Sequence, residues 1–148
     1  MKNLTQIVPD FRVALEEGVQ EAAEQVVFDL KRAGPYWTGF FESLWQVNAG
    51  NYAVKPNIKD ATTNKKKRPG RDYTEAEVPE SPKLGGYTIG NRANYRAYAM
   101  DILPSPTGRQ GGNAKNKTAP KNWYETYINS KMRTVVNKSI QNVFRRYS

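Results

Sequence analysis

Two stretches of the chain, one at each end, carry apolar residues at three- and four-residue intervals, and this pairing limits the fold more than any other feature of the 148 residues. In the first, Phe11, Leu15, Val19, Ala22, Val26 and Leu30 fall on one stripe, the signature of an amphipathic helix. Asp10 stands before the stripe as an N-cap, while Lys31, Arg32 and then Gly34-Pro35 close it, so a helix of about 23 residues is predicted. In the second, Asn122 and Glu125 have the spacing of a capping box. Tyr124, Tyr127, Ile128, Met132, Val135, Val136, Ile140, Val143, Phe144 and Tyr147 then carry an apolar face, predicting a helix over 122–146.

Shorter segments with β character lie between the helices, at 40–48, 52–58 and 86–91, with Asn48-Ala49-Gly50-Asn51 as a hairpin turn. Residues 95–102 suit a short helix or an irregular edge. Helix, strands and helix in this order predict one α+β domain over 1–148, a small antiparallel sheet covered on one face by the two terminal helices. Two stretches, 59–84 and 103–121, are rich in Pro, Gly, Asn, Thr and Lys and read as long loops or arms; loops of that length are usually functional, or order against a neighbour.

Composition removes whole classes of chemistry. With no Cys and no His, the chain lacks thiolate nucleophiles, imidazole bases, disulfides and the ordinary zinc sites. The 14 acids form no catalytic pattern, so a non-enzymatic role without cofactor or metal is expected. Gly112 to Thr118 has Asn116 where a phosphate loop needs Gly directly before Lys117, so it reads as a flexible basic loop. The apolar runs are too short for a membrane span, and residues 1–8 lack a signal-peptide pattern, so a cytosolic product is expected.

Charge is unevenly distributed within the net +9. Residues 1–33 hold six acids and four bases, a balance of −2, whereas residues 104–148 hold nine bases and one acid, a balance of +8. Glu16, Glu17, Glu21 and Glu24 lie on the polar side of the first helix, and Lys131, Arg133, Lys138, Arg145 and Arg146 on that of the second. They are the candidate subunit or partner interface, within one subunit or between copies. Lys65, Lys66, Lys67, Arg68 and Arg71 form a dense basic run whose ordinary reading is a solvated loop, the other being contact with DNA or an acidic partner. Phe41, Trp45, Trp123 and Tyr127 are expected in the core. The aromatic and basic interleaving elsewhere keeps a basic nucleic-acid-binding protein as the alternative function.

One further pattern is the order of short motifs: Pro35 with Thr38-Gly39 and Ser43, then Gly90-Asn91 at the end of a strand, then Tyr95 and Tyr98, between two long helices. This resembles the tail-completion and neck proteins of tailed bacteriophages, the head-tail connector and tail-terminator-like group. The resemblance implies a structural virion protein that forms a closed homo-oligomeric ring, sixfold or twelvefold, through which the genome passes. It implies other neck, portal-side or tail-tube proteins as partners, non-specific contact with genomic DNA, no membrane, and a place in the virion after assembly in the host cytoplasm. Met100-Asp101-Ile102 and Thr118-Ala119-Pro120 stand where family members carry other turns, so the subfamily stays open.

Overall fold

The computed structural model describes residues 4–34, 40–56, 86–94, 96–100, 119–120 and 122–147. Helix α1 (Leu4–Ala33) leads to one helical turn, α2 (Phe40–Ser43), and then to strand β1 (Trp45–Ala49). Strand β2 (Tyr87–Asn91) and the short α3 (Arg96–Ala99) follow. The C-terminal helix runs in three parts: α4 (Trp123–Thr126), a π-helical segment (Tyr127–Lys131) and α5 (Met132–Tyr147). The architecture is α+β, a two-stranded antiparallel sheet with long N- and C-terminal helices.

The N-cap expected at Asp10 is not there, because α1 already begins at Leu4. Leu4 and Ile7 continue the apolar spacing upstream of Phe11. The capping box at Asn122 is not formed either. Asn122 has left-handed backbone (φ 55°, ψ 30°) and makes no side-chain cap bond. A capping side chain reaches the N2 or N3 amide from extended backbone, which this conformation denies it.

The sheet also departs from expectation. Residues 40–43 form a helical turn instead of the start of a strand, and residues 52–56 join no strand. The turn after Asn48 does not close a local hairpin. β1 pairs across a long sequence gap with β2, Trp45 opposite Asn91 and Ala49 opposite Tyr87. Gly50 N–H donates to the Gly86 carbonyl at 2.9 Å and Thr88 Oγ1 to the Gly50 carbonyl at 2.6 Å, closing that end of the ladder. Val54 is buried over Gly90 instead of lying beside β1. Its carbonyl accepts from Arg96 Nη1 at 2.7 Å, so the backbone group a strand would use is already taken.

Apolar burial joins these pieces into one core. Val26, Val27 and Leu30 from α1 meet Phe41, Trp45 and Val47, Ala99 and Met100 from the α3 region, and Trp123 and Tyr127 from the C-terminal helix. The four aromatics expected inside are all buried. Trp45 stacks on Tyr124 at 6.4 Å and meets Phe41 edge-on at 5.9 Å. Trp123 donates from Nε1 to the Ala99 carbonyl at 2.9 Å, tying α3 to α4.

Among the described elements α1 and α5 make the most extensive contact, with Phe11 on Phe144 at 5.2 Å. Gly18 is what lets them close. A β-carbon there would stand 2.9 Å from the Ile140 Cα, so the two backbones touch at this point.

Candidate functional site

Asn91, one residue of the resemblance motif, ties β2 to the α2 turn. Asn91, fully buried at the end of β2, donates from Nδ2 to the Phe41 carbonyl at 2.8 Å and accepts at Oδ1 from the Ala93 amide at 2.9 Å. One side chain therefore holds the α2 turn, the strand end and the entry to α3 together. Gly90 makes room for Val54, whose Cβ would lie 2.7 Å from a β-carbon at position 90. Arg96 adds a second tie, donating from Nη1 to the Val54 and Asn91 carbonyls at 2.7 and 3.0 Å. Ser43, at the end of α2, is exposed. Pro35, Thr38, Gly39 and Tyr95 lie outside the described residues, as do Lys65, Lys66, Lys67, Arg68 and Arg71; Tyr98 is described only as part of the α3 backbone.

Opposite charges on the terminal helices are brought together at one end of the hairpin. Arg146 grips Glu21 with both guanidinium nitrogens, at 2.6 and 3.1 Å, and Tyr147 donates to Glu17 Oε1 at 2.6 Å. The Glu21 contact raises the Arg146 pKa further. Glu16 pairs within α1 with Arg12 at 3.5 Å. Glu16 and Glu24 also act on Tyr87 across the sheet: burial first, then the charges of Glu24 and Glu16, push its phenol above its ordinary value. Among the described residues Lys131, Arg133 and Lys138 make no ion pair, and all three are exposed.

The middle of the hairpin holds a feature that periodicity does not announce. The Met132 amide bonds back five residues to the Tyr127 carbonyl, and Ser130 Oγ donates to the Thr126 carbonyl at 2.5 Å. The hydroxyl occupies a carbonyl of the ladder and the backbone widens into a π turn. One extra residue in a turn shifts the helix phase by roughly 100°. That rotation brings Val143 nearer to the side on which Trp123 and Tyr127 sit, so one helix serves both the sheet core and α1.

Beside this turn the helices leave an open groove of about 610 Å³ lined by Asp29, Arg32, Ala33, Tyr127, Ser130, Lys131, Thr134 and Val135. Asp29 is held in it by Tyr127 Oη and Gln25 Nε2, each at 2.9 Å. Burial, then that hydrogen bond and the Asp29 charge, push the Tyr127 phenol far above its usual range. Arg32 lies over the Phe28 ring at 5.4 Å. Among the described residues no three Asp or Glu side chains converge as metal ligands, and no helix is long and apolar enough to cross a membrane.

Phe11, Arg12 and Val13 are all exposed, Phe11 by 58% and Val13 by 42%, and Tyr147 at the end of α5 by 37%. Of these features only Gly18, an isolated Gly inside a helical stripe, had a sequence signal that points to packing. The π turn, the groove and the Arg96 tie had none. Comparison with known proteins returns no match among family models, curated proteins or solved structures.

Proposed function

We propose that this chain is a structural subunit of a tailed-phage neck or tail-completion assembly, working as one copy in a closed ring around the path of the genome. One observation carries the reading: large apolar side chains that stay partly in solvent, Phe11 and Val13 on α1 and Tyr147 at the end of α5, with Tyr52 after β1 exposed by 79%. Exposed apolar groups on an otherwise polar, strongly charged chain suit a surface that another protein covers. The buried Asn91 tie supports the same reading, in that Asn91 of the motif holds the α2 turn that ends at Ser43.

In a ring, the exposed apolar groups of one copy would meet a different surface of the next, a heterologous contact that closes on itself. Electron microscopy of the purified protein, and of particles carrying a tagged copy, tests this. Rings in solution, or label at the head-to-tail junction, are expected, and Phe11→Ser with Val13→Ser should abolish both while leaving helical circular dichroism intact. A protein that stays monomeric and is absent from particles would refute the assignment.

A further inference from the structure

Two opposite charges line one groove of this protein without meeting. Asp29 on α1 and Lys131 on the C-terminal helix both border the open groove of about 610 Å³ beside the π turn, yet among the described residues neither is in an ion pair. Asp29 is fixed in place: Tyr127 Oη donates to its Oδ2 and Gln25 Nε2 to its Oδ1, each at 2.9 Å. A carboxylate offers about four lone-pair positions, so about two stay open to a further donor. The Tyr127 phenol, buried and beside Asp29, keeps its proton far above its usual range, so its grip on the carboxylate is constant through neutral pH. Lys131 is exposed and brings ammonium donors from the facing helix.

We infer that this groove binds a small zwitterion of the α-amino acid type, its ammonium on Asp29, its carboxylate on Lys131 and an apolar side chain along Ala33 and Val135. The groove volume lies within the roughly 300–1,000 Å³ of small-molecule sites. Its position supports the same reading. Tyr127, Ser130 and Lys131 belong to the π turn and line the groove together, and such turns recur at functional sites. A ligand held by Asp29 on one helix and Lys131 on the other would bridge α1 to the π segment.

Charge argues against simpler ligands. A plain anion meets the fixed Asp29 carboxylate. A plain cation meets Lys131 and the guanidinium of Arg32, which lines the groove while lying over the Phe28 ring. A neutral apolar molecule leaves both charges without a counterpart. A molecule that carries both signs satisfies each end through charge-assisted hydrogen bonds, the stronger kind.

The inference rests on the groove and not on the ring: a monomer that binds the zwitterion keeps it, and a ring that does not bind it sinks it. The test is titration of the isotope-labelled full chain, followed by NMR, with L-leucine, with N-acetyl-leucine, which lacks the ammonium, and with leucinamide, which lacks the carboxylate. Leucine should shift the amides of 29–33 and 127–135 to saturation, and each capped probe should bind about tenfold more weakly, having lost one charge-assisted bond. Lys131→Gln, at an exposed position, should weaken leucine about tenfold and leave leucinamide unchanged. Asp29→Asn keeps an acceptor for Tyr127 and removes the repulsion, so N-acetyl-leucine should bind it more tightly than it binds wild type. Equal affinity for the three probes, shifts that never saturate or that map outside the groove, or a Lys131→Gln chain that binds leucine as wild type does, overturns the proposal.

Discussion

Replacing Asn91 tests whether one buried amide holds the central motif together. In Asn91→Ala the Ala93 amide loses its acceptor at a site with no solvent exposure, which costs about 1–3 kcal/mol for a buried donor left without a partner. The Phe41 carbonyl keeps a 3.2 Å bond from the Leu44 amide, so losing the Nδ2 contact there costs less, about 1 kcal/mol. The vacated amide volume adds a further small cavity penalty, and the whole comes to about 3 kcal/mol. For a chain of this length that is a fall in Tm of about 6–12 °C. Asn91→Asp should be no better, because it keeps the acceptor for Ala93 but sets a carboxylate oxygen against the Phe41 carbonyl in a buried place. Urea denaturation followed by tryptophan fluorescence reads the difference directly. A midpoint for Asn91→Ala equivalent to less than about 0.5 kcal/mol of wild type, or an Asp variant as stable as wild type, would refute the reasoning.

The remaining predictions concern the helical hairpin. Gly18→Ala places a methyl 2.9 Å from the Ile140 Cα, and since backbone cannot rotate away as a side chain can, α1 and α5 must part; a loss of about 1–3 kcal/mol is expected in thermal unfolding. Tyr127→Phe removes the bond to Asp29 and should cost about 1–3 kcal/mol at neutral pH. Its pH dependence carries the sign of the raised phenol. The unfolded chain ionises Tyr127 above about pH 10 while the folded chain keeps the proton, so this contribution is complete below pH 10 and is lost as pH rises beyond it. The gap in stability between wild type and Tyr127→Phe should therefore narrow from pH 10 upward in denaturant titrations. A gap that widens there would contradict the geometry around Asp29.

Local pattern carried the helices and the class. Val26 and Leu30 on one stripe, and Ile140 and Val143 on another, can bury themselves only by pairing long amphipathic helices with something else apolar, and of the segments read as strands, 40–48 and 86–91 contain most of β1 and all of β2. The helix limits were less legible. Asp10 and Asn122 are both residues that favour caps, yet capping depends on backbone conformation, and in the fold one lies inside α1 and the other takes a left-handed turn. Strand pairing was not legible at all. Asn48 to Asn51 suits a tight hairpin, but the partner of β1 is chosen by which segment also satisfies Asn91, Arg96 and the Phe41 carbonyl, and these lie about forty to fifty residues apart.

The candidate surfaces divide in the same way. The basic character of the C-terminal helix is plain in its residues, and so is its lack of acids, because charge is a property of composition. Which cations meet α1 and which face outward is a matter of helix phase, and the π turn at Tyr127–Lys131 resets that phase by an interaction between the Ser130 hydroxyl and the Thr126 carbonyl. The sequence by itself determined the elements, their amphipathic character and the sign of each surface, since these follow from short-range periodicity and charge. Only the tertiary structure decided the β1–β2 pairing, the contact at Gly18, the groove at Arg32 and Lys131 and the exposure of Phe11. Each of these depends on which distant groups share space and hydrogen bonds, and that information is absent from any local stretch of the chain.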